Sequence, residues 1–193
     1  MAIRRLKGEK ACGGDMIEPE MIKYLGEKGR EWMWKICADS WREQKIPKDW
    51  ENNIIIPIHK GGDQASCDNY RAICLSSVCF KVYTRIVEER LRSAIEDELD
   101  DSQAAFRTGR QTGDNIFVVR NIIERKIEED EELFLTFIDL RAAFDTIERE
   151  QIWKSLAELG VHQELIIITR SIYGTVNGRV QLAVGRSDVF RMG

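Results

Sequence analysis

The chain has 193 residues, 43% of them hydrophobic and 32% charged, with 29 basic against 33 acidic side chains and a formal net charge of −4. That is apolar content for one core or one and a half, at roughly 100–200 residues per domain, and 3 Pro with 14 Gly exclude a fibrous or disordered chain. No apolar run approaches the ~20 residues of a membrane span, the start MAIRRLKGEK has no apolar stretch behind its charges to act as a secretory signal, and the acidic balance argues against a small basic nucleic-acid module while leaving room for a basic groove on an acidic body.

In chain order, Glu20 to Trp41 carries Met21, Leu25, Trp32, Ile36, Cys37 and Trp41 at near-helical spacing, and Ile46-Pro47 breaks that helix. Ile54-Ile55-Ile56-Pro57-Ile58 reads as a strand that Pro57 confines to an edge or a bulge. Gly61-Gly62-Asp63 is a hairpin turn signal, and Ala72-Ile73-Cys74-Leu75 is the returning strand. Val82 to Leu99 is an amphipathic helix with Tyr83, Ile86, Val87, Leu91, Ala94 and Ile95 on one face. A second runs near Asn115 to Ile127, with Ile116, Val119, Ile123 and Ile127 aligned. The acidic run Glu128–Glu132 reads as a solvated helix end and loop.

Leu133-Phe134-Leu135-Thr136-Phe137-Ile138 is the best strand candidate, because aromatic and β-branched residues fill a short run that ends at Asp139. Asp145-Thr146-Ile147-Glu148 resembles a capping box for the helix carrying Ile152, Trp153, Leu156 and Leu159, which Gly160 stops. Another helix fits Gln163 to Tyr173, and Arg179–Val184 and Ser187–Arg191 read as strands joined through Gly185. Helix and strand mix without regular βαβ alternation, so the expected fold class is α+β.

Five cysteines without a CxxC pair (Cys12, Cys37, Cys67, Cys74, Cys79) point to reduced thiols, several of them in the core, and a nuclear or cytoplasmic protein. His59 and His162 stand alone and read as structural or surface residues.

Three places invite chemistry. Asp139 ends the strand candidate, where a carboxylate is fixed in backbone position and open to a hard cation such as Mg²⁺; on spacing alone the favoured reading is a strand-ending Asp139, a helix-capping Asp145 and a core Phe144. Lys60 and Arg71 flank the glycine turn, where a point charge and a guanidinium fork can close over a triphosphate, or decorate an ordinary surface hairpin. Arg107 and Arg110 flank Gly109 in a loop suited to phosphate-backbone contact, or simply to solvent. The GxxxxGK[ST] phosphate loop is absent.

The order of these segments resembles the reverse transcriptase of non-long-terminal-repeat, LINE-like retrotransposons, from about Gly13 to Gly193. The matching stretches are Gly14-Asp15 with Glu20-Met21-Ile22-Lys23, then Ile46-Pro47-Lys48-Asp49-Trp50, Pro57-Ile58-His59-Lys60-Gly61-Gly62-Asp63 and Asn69-Tyr70-Arg71-Ala72-Ile73. Gln103 to Arg110 is similar to the family's Q-x-G-F-R-x-G-R loop, and Phe137 to Asp145 to its F-x-D-x-x-x-A-F-D motif. Ala72 stands where the family usually has Pro, and Ala105 where it has Gly.

The resemblance implies the fingers and partial palm of a right-hand polymerase, with a helical extension at 1–52, fingers at 53–132 and partial palm at 133–193. It implies RNA template, DNA primer and dNTP as partners, no membrane, and Mg²⁺ in the full-length enzyme. Asp139 would be the catalytic carboxylate and, with the Leu140 carbonyl, a metal ligand. Lys60 and Arg71 would hold the triphosphate, Phe144 would be a steric gate against a 2′-hydroxyl, and Arg107 and Arg110 would contact nucleic-acid phosphates. Gly193 would open the family's G-x-x-Q-G segment, with the catalytic Y/F-A-D-D hairpin, the thumb and any endonuclease beyond it, so these 193 residues would not polymerise alone. A non-catalytic remnant that binds nucleic acid or a partner is the competing expectation.

Overall fold

The computed structural model describes residues 2–140, 143–174 and 176–192, with the side chain of Asp145 outside that description. The chain forms two compact units, one made of residues 1–91 with 162–193 and the other of residues 92–161. These units cut the chain at different points from the three segments expected from sequence.

In the first unit, β1 (Asn52–His59) is the organising strand. It pairs antiparallel with β2 (Tyr70–Leu75), from Ile54 opposite Leu75 to His59 opposite Tyr70. On its other side it pairs parallel with β3 (Asn177–Leu182), from Asn52 opposite Asn177 to Ile55 opposite Val180. The short strands β4 (Gly185–Arg186) and β5 (Phe190–Arg191) both pair antiparallel with β3. The sheet is mixed and the fold is α+β. Pro57 is tolerated inside β1 because the β3 pairing has ended by Ile55, so its missing N–H faces no partner on that side.

Helix α1 (Pro19–Lys23) opens on a proline, whose fixed φ suits a first turn, and α2 spans Glu27–Arg42. The single helix expected from Glu20 to Trp41 is therefore two. Tyr24 closes α1 by donating its N–H to the Glu20 carbonyl at 2.9 Å, and Gly26 stands extended (φ −65°, ψ 177°) as the N-cap of α2. The break resets the helical phase, so Met33 and Cys37 are buried while Trp32 and Met21 face solvent. Helix α3 spans Val78–Ile95, one turn earlier than its sequence pattern, and buries Val78, Val82, Tyr83 and Val87. Helix α7 (Gln163–Ile172) buries Leu165, Ile166 and Ile168, and the His162 ring caps it by accepting from the Glu164 N–H.

Trp50 anchors this core, with its ring 5.5 Å from Tyr83 and 5.8 Å from Phe80. Trp41 joins α2 to α7 by donating from Nε1 to Glu164 at 3.0 Å, while the Arg90 guanidinium of α3 lies 4.0 Å over its ring. Gly13 is required by close approach, since a Cβ there would lie 2.7 Å from the Ser77 nitrogen. All five cysteines are free, but only Cys37 is fully buried. The expectation of several core thiols is thereby corrected: Cys67 precedes β2 and Cys74 lies on it, both exposed to solvent.

In the second unit, α4 (Thr112–Glu128) begins with a reciprocal capping box between Gln111 and Asp114. Val119 and Ile123 are half-buried, but Ile116 and Ile127 face solvent. The short helix α5 (Ala143–Thr146) precedes α6 (Arg149–Glu158), which buries Trp153 and ends before Gly160. The expected cap at Asp145 is displaced: Glu148 is the N-cap of α6, without a side-chain cap hydrogen bond, and the Asp145 backbone lies within α5.

The main departure is at residues 131–140, which form no helix or strand. Leu133–Ile138 has strand chemistry but no partner, since no ladder among the described residues includes it. A strand's backbone groups are satisfied only by a neighbour. The segment is therefore open, with Phe134 87% and Phe137 83% exposed.

Candidate functional site

The β1–β2 hairpin places two cations side by side. Register puts Arg71 opposite Ile58. The ladder continues one step further, because the Lys60 N–H donates to the Asn69 carbonyl at 2.7 Å. Lys60 lies two residues beyond Ile58, so Lys60 and Arg71 share one face of the hairpin as diagonal neighbours, about 7–8 Å apart in an ideal ladder. Both are exposed. Among the described residues no carboxylate makes an ion pair with either, and Lys60 Nζ donates only to the Asp68 carbonyl at 3.3 Å. Gly61 (φ +116°) and Gly62 (φ +85°) let the chain reverse here. The connection from Lys60 to Asn69 is longer than a tight turn, and Asn69 secures it by donating to the Asp63 carbonyl at 2.8 Å.

The second unit holds the remaining expected residues. The two arginines of the 103–110 loop differ in how their donors are used. Arg107 is 9% exposed at its side chain and pairs with Glu96 at 3.0 Å. It also donates to the Asp100 carbonyl at 2.8 Å and the Leu99 carbonyl at 3.4 Å. Its guanidinium locks the loop to the turn at 96–100 that follows α3. Arg110 makes one ion pair, with Asp101 at 2.6 Å, and keeps 40% of its side chain exposed. The carbonyl of Phe106, just before Arg107, accepts from Arg92.

Asp139 and Leu140 lie at the end of the open segment, both exposed. Phe144 sits in α5, exposed, with its ring against that of Phe106. Mg²⁺ demands near-octahedral oxygen coordination. Among the described residues, no three His, Cys, Asp or Glu side chains converge on one point. Asp139 and the Leu140 carbonyl alone fall short of a metal site.

Sequence reasoning did not find a cleft of about 400 Å³ in the first unit, lined by Asp15, Asp49, Asn53, Asn177, Arg179 and Arg186 among others. Asn53 closes its floor by donating to the Glu51 carbonyl at 3.1 Å and the Asn177 carbonyl at 3.3 Å, which ties β1 to β3. The only trace of it in the sequence is the polar pair Asn52-Asn53 that opens a strand continuing into the isoleucine run 54–56. No helix among the described residues is long and apolar enough to cross a membrane.

Comparison with known proteins decides the family. The model of the reverse transcriptase (RNA-dependent DNA polymerase) family matches residues 58–193. The chain belongs to the reverse transcriptase family. Its relatives are polymerases of non-long-terminal-repeat retrotransposons. The chain is 30% identical over 149 residues to the probable RNA-directed DNA polymerase from transposon BS of Drosophila melanogaster, covering 76% of this chain and 16% of that protein. It is 26% identical over 191 residues to the putative 115 kDa protein in type-1 retrotransposable element R1DM of the same species, covering 95% and 18%. It is 26% identical over 148 residues to the RNA-directed DNA polymerase from mobile element jockey, covering 75% and 16%. The reverse transcriptase chain thus spans about one sixth of the length of the curated relatives it matches.

Proposed function

We propose that this reverse transcriptase chain is the nucleotide- and template-engaging part of an RNA-directed DNA polymerase, comprising fingers and partial palm, and that it is non-catalytic by itself. The observation that carries the reading is the pair Lys60 and Arg71, on one face of a glycine-turned hairpin and without a carboxylate partner among the described residues. Unpaired exposed cations in fixed register suit the triphosphate of a dNTP, with Lys60 as a mobile point charge and Arg71 as a fork.

Asp139 offers one carboxylate toward Mg²⁺, with the Leu140 carbonyl beside it. A divalent ion that these two groups helped to hold would supply positive charge for the phosphates. Phe144 presents its ring to the sugar edge, where a 2′-hydroxyl would collide. Arg110 contacts template or primer phosphate without reading sequence, and Arg107 holds the loop that carries it.

The test is dNTP and RNA–DNA binding by the chain itself, followed by fluorescence anisotropy. Wild-type chain should bind a labelled dNTP, and Lys60→Ala and Arg71→Ala should each weaken binding; equal binding by the double variant rejects the reading. Primer extension by the chain alone should be absent, because one carboxylate does not hold the ion. The second reading, a non-catalytic nucleic-acid-binding module, is favoured by the lack of a converged metal cluster among the described residues. It predicts salt-dependent RNA binding with no dNTP binding.

A further inference from the structure

We infer that Asn69 and Tyr70 are positioning residues that act through Lys60, by folding the 61–68 loop back onto the hairpin. The inference rests on the triphosphate reading of Lys60 and Arg71 and adds two side chains to it. Residues 61–65, 67 and 68 are exposed, so hydrogen bonds and not burial must order this loop. Some of those bonds span three residues or fewer: Ala65 N–H to Asp63 Oδ1 at 2.9 Å, Ser66 N–H to the Asp63 carbonyl at 3.3 Å, Asn69 N–H to the Ser66 carbonyl at 3.1 Å. They shape the turn but do not fix where it sits. Asn69 and Tyr70 do. Asn69 Nδ2 donates to the Asp63 carbonyl at 2.8 Å, and its amide lies against Gly62, where a Cβ would come within 3.0 Å of Nδ2. The Tyr70 hydroxyl donates to the Gln64 carbonyl at 3.0 Å, while its ring packs on His59 with 5.1 Å between centroids. The two acceptors are consecutive, so the pair pins adjacent peptides of the loop to the start of β2.

Lys60 is tied to this loop at both ends of its residue. Its N–H donates to the Asn69 carbonyl at 2.7 Å, and its Nζ donates to the Asp68 carbonyl at 3.3 Å. An ammonium has three donors, so the bond to Asp68 aims it and leaves two for phosphate oxygens. A loop released at Asp63 and Gln64 would carry the Asp68 carbonyl, and with it the ammonium, away from the face shared with Arg71. Arg71 has no such dependence, because its backbone is set in the ladder opposite Ile58. With the loop pinned, a nucleotide meets two cations already placed and need not order the loop on binding.

Titration of the 193-residue chain with thymidine triphosphate and thymidine monophosphate tests this. The wild-type chain should bind the triphosphate more tightly. Asn69→Ala and Tyr70→Phe should each weaken triphosphate binding about threefold, the size of one lost hydrogen bond, and leave monophosphate binding unchanged. Both losses should persist in an Arg71→Ala background and vanish in a Lys60→Ala background, which a merely structural role would not produce. Amide hydrogen exchange reads the loop without nucleotide: Ala65 and Ser66 should exchange faster in both variants while β1 and β2 stay protected. Triphosphate binding that neither variant weakens, but Lys60→Ala does, overturns the inference and leaves the triphosphate reading standing. Losses that persist in the Lys60→Ala background, or loop exchange that neither variant changes, overturn it too. If Lys60→Ala and Arg71→Ala both bind triphosphate as the wild type does, the triphosphate reading falls and the inference falls with it.

Discussion

The ring of Phe106 meets the ring of Phe144 edge to face, with 6.0 Å between centroids. The two residues stand 78% and 83% exposed, and Phe106 holds a left-handed backbone at φ +63°. An aromatic side chain in that region of backbone space costs roughly 1–2 kcal/mol, so its neighbours must hold it there. The Phe106 carbonyl, bonded to Arg92, is one such restraint. The contact ties the arginine loop to the residues that follow Asp139.

Under the steric-gate role proposed for Phe144, the Phe106 ring would support the gate. In a polypeptide that carries the chain within a complete relative, Phe144→Ala should raise ribonucleotide incorporation strongly. Phe106→Ala should raise it less, by releasing the Phe144 ring without removing it. The ratio of dNTP to rNTP incorporation measures both, and an unchanged ratio in Phe144→Ala rejects the gate.

Lys60 and Arg71 are exposed, and folding does not depend on either. Each alanine variant should keep its melting temperature while dNTP affinity falls about tenfold, as expected for loss of a charge-assisted contact. Isothermal titration with a non-hydrolysable dNTP checks the affinity, and calorimetry checks the folding.

Arg107 behaves in the opposite way. Its removal leaves the Glu96 carboxylate and the Leu99 and Asp100 carbonyls without their donor. Arg107→Ala should cost roughly 1–3 kcal/mol of stability. Arg110→Ala removes one exposed ion pair and should cost less than about 1 kcal/mol. Urea unfolding of the two variants distinguishes these sizes; equal losses would deny Arg107 its structural role.

Alkali should loosen the first unit. Burial pushes the Tyr83 phenol up to about 12, with the nearby Cys37 adding to it. Burial likewise pushes the Cys37 thiol up to about 12, with Cys79 adding to it. Both groups are neutral when protonated, and the fold favours that form. The stability they contribute is complete below their ordinary values, 10.0 for the phenol and 9.0 for the thiol. It falls as pH rises from there toward 12, because the unfolded chain releases these protons first. Denaturation midpoints should therefore drop across that window, and Tyr83→Phe should flatten part of the drop. Below it, alkylating reagents should consume the exposed Cys67 and Cys74 well before Cys37.

Helices and the hairpin were legible because their signals are local. The 3.6-residue spacing of Val82 and Tyr83 with Val87, and the two glycines between apolar runs, lie inside the elements they describe. Leu133–Ile138 was misread because a strand is a property of two segments, and its composition says nothing about the neighbour. The phase of α2 was missed for a related reason: Gly26 interrupts the pattern, and everything after it rotates. At the site, the shared face of Lys60 and Arg71 follows from turn and register, both readable in sequence. The opposed fates of Arg107 and Arg110 do not, because the acceptors that claim Arg107 include the backbone carbonyls of Leu99 and Asp100, which any residue would supply.

The ending of the β3 pairing at Ile55 has a mechanical meaning. From Ile56 onward, β1 is held only by β2, so the hairpin beyond that point is a free two-stranded ribbon rooted in a wider sheet. Narrow ribbons twist more and resist bending less than multi-stranded sheets. Arg71, opposite Ile58, lies near the root of this ribbon, and Lys60 lies two residues further along it. The nucleotide proposed to bind there would thus meet a narrow two-stranded ribbon and not the wider sheet.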